Sequence, residues 1–424
     1  MAVTTVPDHS ARYEGLHAPA YEQTGNVAGA TAEQWVRSQV DAKRGAASLM
    51  GGPFERVHVF WLAGMSCDGC SIAVLGATAP AVESLLTGSI PGVPLLLLHH
   101  TAVQIEAGEA YMEPMRQAAA GTLGEPYVVV FEGSCANEDS IGKGYWSAIG
   151  EELNAEGEHV QVPSAVWLRR LAPAAAAVIA IGTCATWGGI PAALNNVTDS
   201  MSVGDWLGAD YRSALGLPVV NIPGCSPVGD NFTETVAVTL LFLQGIGPAP
   251  ELDELGRPQW LFGETVHRGC LRAGYYEEGT FAEKFGDKEC LVELGCWGPV
   301  VQCNINARGA INHVGGCMNV GAACIGCTMP GFPDKFTPFY KAPPGTVISS
   351  NGARLLGSFV RPLRQITQRK LNREVRWDHD KRGPDGWGAD LGPTTTFDRA
   401  TLTLVMYDFL RHRGAYGSTK KSGK

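Results

Sequence analysis

Cysteine placement constrains this chain more than any other feature. Seven of the twelve cysteines fall in one late stretch, which reads His267-x-x-Cys270, Cys290, Cys296, Cys303, Cys317 and Cys324-x-x-Cys327. The other five are Cys67-x-x-Cys70, Cys135, Cys184 and Cys225, most of them just after apolar, strand-like runs. Thiolates are soft ligands, and iron–sulfur clusters are held mainly by sets of four of them. Eleven cysteines and one histidine fill three four-ligand sites. That arithmetic points to a protein that moves electrons.

The 424 residues allow two or three domains with a substantial core. A formal charge of −9 argues against a nucleic-acid partner, which wants a basic face. Sparse charge (18%) and 53 glycines suggest large contacts with other subunits. No apolar run reaches the ~20 residues needed to span a bilayer, and Met1–Leu16 shows neither an apolar export core nor a twin arginine. The expected location is the cytoplasm, with peripheral attachment to the inner face of the cell membrane through another subunit. In that reducing compartment a cysteine-rich chain binds metal more readily than it forms disulfides.

Four segments follow from patterning. Residues 1–55 are a polar, Ala/Gly-rich extension. Residues 56–245 alternate helix-length stretches with the apolar runs Val57–Leu62, Pro94–Leu98, Tyr127–Phe131, Ala176–Ile181 and Pro218–Ile222, interrupted by a strongly polar side chain only at His58 and Asn221. Such runs suit strands buried on both faces, and the alternation predicts an α/β fold with a doubly wound parallel sheet. Residues 246–340 are rich in Gly, Pro and Cys and poor in helical period, so metal–ligand bonds must supply part of their stability. Residues 341–424 form a C-terminal extension, amphipathic over Leu402–Arg411.

Four of the strand runs lead into glycine-containing loops with candidate ligands: Cys67 and Cys70, Glu132-Gly133 with Cys135, Gly182-Thr183-Cys184, and Pro223-Gly224-Cys225. Open α/β sheets bind ligands outside the carboxyl ends of their strands, so these loops are delivered to one crevice. A single Cys-x-x-Cys also suits a thioredoxin-like pair or a zinc half-site. Three sets of four in one chain favour iron–sulfur clusters, with a multi-zinc scaffold as the rival. His267 stands three residues before Cys270 and near Cys290 and Cys296, and ligation there would leave the site one negative charge fewer than a fourth thiolate. His99 and His100 read as polar strand-end residues, and Trp187 and Trp297 as packing that excludes water. Glu132 reads equally as a structural hydrogen-bond acceptor and as a proton relay.

Taken in order, these motifs resemble those of the small, electron-transferring subunits of NiFe-hydrogenases. Trp61-Leu62 followed by Cys67-x-Gly69-Cys70-Ser71, then Glu132-Gly133, resemble the first signatures. Gly182-Thr183-Cys184-Ala185-Thr186-Trp187-Gly188-Gly189-Ile190-Pro191 and Ile222-Pro223-Gly224-Cys225 resemble the next two. His267-x-x-Cys270, Cys290-x5-Cys296-x-Gly298-Pro299 and Cys324-Ile325-Gly326-Cys327-Thr328 complete the set. The resemblance spans roughly residues 56–340. It implies a flavodoxin-like domain followed by an irregular domain that binds clusters. It also implies proximal ligands Cys67, Cys70, Cys184 and Cys225, distal ligands His267, Cys270, Cys290 and Cys296, and medial ligands Cys303, Cys324 and Cys327. By this resemblance the NiFe centre lies in a separate large subunit, whose two Cys-x-x-Cys pairs form the nickel site; the pairs here, Cys67-x-x-Cys70 and Cys324-x-x-Cys327, fall in the cluster sets instead. A quinone-reductase subunit related to respiratory complex I shares the first-domain fold and explains the early cysteines, but not those from His267 to Cys327.

Departures from the family pattern sharpen the expectation. Cys317 stands where many relatives carry a proline, which makes it the expected fourth medial ligand and the medial site 4Fe–4S. Asp68 lies inside the first Cys-x-x-Cys, where a carboxylate is an alternative iron ligand beside a default of four cysteines. Cys135 is extra and is expected to pack rather than bind. Together with the long extensions, these features resemble the actinobacterial-type, oxygen-tolerant uptake hydrogenases. The resemblance thus implies oxidation of H2, three 4Fe–4S clusters, a large-subunit partner in a dimer of heterodimers or higher assembly, and an external acceptor that is a quinone pathway or a redox protein.

Overall fold

The computed structural model describes residues 53–142, 144–341 and 359. The expected extensions at 1–55 and 341–424, with the amphipathic stretch Leu402–Arg411, fall almost wholly outside the described residues. The described residues form two compact units, one containing residues 53–260 together with Cys327–Lys335, the other containing Leu261–Gly326 and residues from 336 to 341.

The first unit is built on five parallel strands: β1 (Arg56–Ala63), β2 (Leu95–His100), β3 (Tyr127–Glu132), β6 (Ala177–Ile181) and β7 (Val220–Ile222), in the order β2-β1-β3-β6-β7. Each contains or overlaps an apolar run read from the sequence, and β3 and β6 are buried along their whole length. The order reverses beside β1, so successive connections cover opposite faces of the sheet, as in doubly wound folds. One face (Phe60, Leu62, Tyr127, Val129, Phe131, Val178, Ala180) packs on Met112 and Met115 of α3 (Glu109–Ala119) and on Trp167, Leu168 and Leu171 of α4 (Ser164–Leu171). Fully burying each such large side chain stabilises the fold by about 1.5–3 kcal/mol. The other face carries Val59, Trp61, Val128, Val130 and Ile179. With α1 (Gly69–Leu75), α2 (Val82–Leu86) and α6 (Gly229–Leu243) it encloses an apolar cavity of about 290 Å³.

An antiparallel hairpin, β4 (Ala148–Leu153) and β5 (His159–Pro163), is an addition to the expected strands. His58 is accommodated in β1 because its Nδ1 lies 2.8 Å from His99 Nε2 and its Nε2 lies 2.8 Å from Glu125 Oε2. Asn221 reaches out of β7 to donate to the Leu255 carbonyl at 2.8 Å.

The second unit has little regular structure. It holds short helical turns at Val266–Gly269, Ala273–Glu277, Leu291–Leu294 and Ile305–Arg308, and a small apolar cluster of Phe281, Cys290 and Val292 backed by Tyr275 and Tyr276. Among the described residues, no helix is long and apolar enough to cross a membrane.

Candidate metal centres

The loops after β1, β6 and β7 deliver four thiols to the carboxyl edge of the sheet. Cys67 precedes α1 and Cys70 lies in its first turn, Cys184 lies in α5 (Gly182–Trp187), and Cys225 follows β7. The four feel one another's charge: Cys67, Cys184 and Cys225 each act on Cys70, and Cys67 acts on Cys184 and Cys225. Two glycines make this approach feasible. A Cβ on Gly182, which has φ +85°, would run into Cys70 Sγ, and one on Gly189 would lie 2.8 Å from Cys184 Sγ. Burial, with Glu132 as the next cause, pushes the Cys70 thiol far above its ordinary value; burial pushes Cys184 up to about 11.

Glu132 ends β3 and is 1% exposed. Its Oε1 accepts from the Cys70 backbone N–H at 3.0 Å, and its Oε2 accepts from Trp61 Nε1 at 3.0 Å and from the Ser71 hydroxyl. Asp68 sits in the left-handed region (φ 59°) at the N-cap of α1, yet its side chain makes no capping hydrogen bond; its backbone N–H instead donates to Ser66 Oγ at 3.0 Å. Asp is a residue that tolerates this backbone in turns, and here its exposed carboxylate is not used as a cap. Cys135 is fully buried in the apolar core with Phe131, Ala185 and Trp206, and its backbone pairs with Met201.

In the second unit, His267, Cys270, Cys290 and Cys296 line one small pocket with Arg272, Leu291 and Met318. Burial lowers His267 to about 4, so its imidazole is neutral and able to offer a lone pair. Tyr276 packs edge-on against it, with centroids 4.7 Å apart. Burial raises Cys270 to about 11 and Cys290 to about 12. Donors are in place for thiolate charge. The Arg272 N–H points at Cys270 Sγ and the Cys324 N–H at Cys296 Sγ, each at 3.3 Å. The Arg272 guanidinium is itself clamped to the carbonyls of Met318, Asp287 and Glu289.

The expected medial ligands divide between the units. Cys303, Cys317 and Cys324 belong to the second, and Cys327 begins the segment that belongs to the first. There the Cys327 carbonyl accepts from the Thr183 hydroxyl, and the Thr328 carbonyl accepts from Trp187 Nε1 at 3.1 Å. Trp187 thus ties this segment down in addition to packing. Trp297 stacks edge-on against Phe336, and its N–H donates to the Cys324 carbonyl. Among the described residues, no three His, Cys, Asp or Glu side chains gather tightly enough to hold a single metal ion.

Soft donors in this number, carried on loops rather than around a substrate cleft, define an electron-transfer subunit. Residues 262–340 match the family model for the C-terminal region of the NiFe/NiFeSe hydrogenase small subunit, and residues 67–239 match that of the "NADH ubiquinone oxidoreductase, 20 Kd subunit". The chain is 35% identical to the periplasmic [NiFeSe] hydrogenase small subunit of Desulfomicrobium baculatum, over 68% of this chain and 88% of that one. It is 31% identical to the hydrogenase-2 small chain of Escherichia coli K12, over 78% and 87% of the two chains. Among solved structures it is similar to the actinobacterial-type NiFe-hydrogenase from Ralstonia eutropha H16, with 47% identity and a TM-score of 0.72 over 80% of this chain and 97% of that one. The chain belongs to the NiFe-hydrogenase small-subunit family, whose members work in complex with a large subunit. The match over 262–340 is what separates it from the complex I relatives that share its first unit.

Proposed function

We propose that this chain passes electrons from the NiFe centre of a large subunit through three 4Fe–4S clusters to an external acceptor, in the direction of H2 oxidation. The observation that carries the reading is the gathering of Cys67, Cys70, Cys184 and Cys225 at one sheet edge, around glycines that leave room for their sulfurs. The donor chemistry fits. Buried thiols with raised pKa values resist ionisation alone, and a cationic iron core makes the thiolate form favourable. Bound there, the clusters would supply one-electron chemistry tuned by ligand identity, hydrogen bonds and burial.

The chain's own residues then have distinct tasks. Cys67, Cys70, Cys184 and Cys225 hold the proximal cluster, and the uncapped Asp68 carboxylate is an alternative ligand there. His267, Cys270, Cys290 and Cys296 hold the distal one, with the Arg272 and Cys324 N–H groups donating to thiolate sulfurs. Cys303, Cys317, Cys324 and Cys327 are the medial set, on their spacing and the C-terminal family match. The neutral His267 supports outward electron flow, since an imidazole in place of a thiolate tends to raise the potential at the exit. Glu132, joined by hydrogen bonds to Cys70 and Ser71, is placed to relay a proton. The acceptor in this reading is a quinone pathway or a redox protein, and the assembly is a dimer of heterodimers or larger.

The cytoplasm, at the inner face of the membrane, is the proposed location. A cysteine-rich chain whose thiols bind metal rather than form disulfides suits a reducing compartment, although the Desulfomicrobium relative is periplasmic by name. Fractionation of native cells tests this point, and mature protein in the exported fraction would count against it. For the function itself, the native complex should show cluster EPR signals that deepen under H2. A complex that oxidises H2 without any iron–sulfur signal in this chain would refute it.

A further inference from the structure

A half-buried chain of hydrogen bonds runs from the end of β2 to the backbone of Cys70. The Ala102 N–H donates to His100 Nδ1 at 3.0 Å. That nitrogen therefore carries no proton, and burial keeps the ring neutral by holding its pKa below the ordinary value. The ring's one proton sits on Nε2, which lies 2.9 Å from Ser71 Oγ. Because His100 donates there, the Ser71 hydroxyl must spend its own proton elsewhere, and Glu132 Oε2 receives it. The same carboxylate accepts from Trp61 Nε1 and, on its other oxygen, from the N–H groups of Cys70 (3.0 Å) and Ser71 (3.4 Å). His100 is 5% exposed and borders the apolar cavity.

We propose that His100 is a positioning residue for the proximal site, acting through Ser71 to fix the Glu132 carboxylate against the Cys70 amide. This rests on the cluster assignment above. The fixed tautomer gives the chain a direction, with each donor pointing toward the carboxylate and spreading its charge. With the chain broken, more negative charge faces Cys70, the oxidised level of the site is favoured and its potential falls. Altering partners one bond removed from a metal ligand typically changes metal affinity or activity by about 10- to 100-fold, and we take the same order for the redox equilibrium. His100 acts one bond further out, so the low end, about tenfold, applies. For a one-electron site that is about 59 mV.

The test is EPR-monitored redox titration of the proximal signal in the intact complex. His100→Phe keeps the ring volume and removes the donor; the midpoint should fall by about 59 mV. His100→Gln can still accept from Ala102 and donate to Ser71, and should restore most of the parent value. Ser71→Ala breaks the chain at its centre without adding bulk and should reproduce the shift. It also serves if His100→Phe fails to assemble. The double variant should add little, because both changes sever one chain. A role in packing alone predicts no shift in Ser71→Ala and no rescue by Gln. A parent complex without iron would remove the assignment on which both readings rest. A parent with intact clusters and a proximal midpoint that ignores Ser71→Ala and His100→Phe overturns the His100 proposal alone.

Discussion

Gly182→Ala is the sharpest single perturbation of the proximal site. Gly182 opens α5 with φ +85°, and a Cβ there would collide with the Cys70 sulfur. The left-handed backbone costs an L-residue about 1–2 kcal/mol. Forcing extra volume into a packed site costs a further ~1–3 kcal/mol. The sum, roughly 2–5 kcal/mol, falls on the state in which Cys70 is correctly placed. At about 1.4 kcal/mol per tenfold it weakens retention of the proximal cluster by roughly 30-fold to several thousand-fold. Gly208→Ala separates the two contributions. Gly208 has φ +92°, but a Cβ there meets nothing within 4 Å. Both variants should lower the urea midpoint, and only Gly182→Ala should lose about four irons per chain and the proximal EPR signal. Full iron content and an unchanged proximal signal in Gly182→Ala would refute the convergence of Cys70, Cys184 and Cys225 on one cluster.

Other outcomes follow from single residues. Cys317→Pro should create a 3Fe–4S EPR signal that the parent lacks; a strong signal of that type in undamaged parent protein would contradict a medial Cys317 ligand. Asp68→Asn removes the charge of a carboxylate that caps nothing. It should alter the proximal spectrum in the oxidised complex and slow H2 uptake under oxygen, whereas unchanged spectra and uptake would return Asp68 to an ordinary turn role. His267 is neutral when buried, with its pKa lowered from 6.5 to about 4. A base with a depressed folded pKa contributes stability that is complete above pH 6.5 and declines as pH falls toward 4. The loss is on the order of 3 kcal/mol at ~1.4 kcal/mol per pKa unit, and it should appear as a fall in the unfolding stability of the cluster-free protein between pH 6.5 and 4. His267→Gln should flatten that window; an identical acid profile in the variant would exclude the imidazole as its cause.

Elements buried on both faces were readable because nothing polar interrupts them. Apart from Glu132 at the end of β3, β3 and β6 are continuous runs of apolar residues in the sequence and lie in the interior of the sheet. The same logic left out the hairpin of β4 and β5. Glu151, His159 and Gln161 give it an exposed, polar face, and an Asn154–Glu158 turn whose bonds to Asn154 Oδ1 are local was its only signal. Ligand candidates announced themselves as cysteines after strands, and the loops after β1, β6 and β7 bring the four early ones to one sheet edge. What the chain pattern could not show is the company they keep. His100 looked like a polar strand end, and its role rests on three partners, Ala102, Ser71 and, through Ser71, Glu132, that only the folded register brings together. Cys327 follows Cys324 by three residues, yet its segment belongs with the first unit because Thr183 and Trp187 bind the carbonyls of Cys327 and Thr328 from more than 140 positions away. Periodicity carries no trace of such long-range bonds.

Metal analysis of the native complex with its large subunit, combined with EPR before and after H2, tests the central claim most directly. Three four-iron sites predict about twelve irons and matching acid-labile sulfide in this chain, and cluster signals that are reduced when H2 is the only electron donor. A colourless chain carrying zinc, or clusters whose redox state ignores H2, would contradict the account.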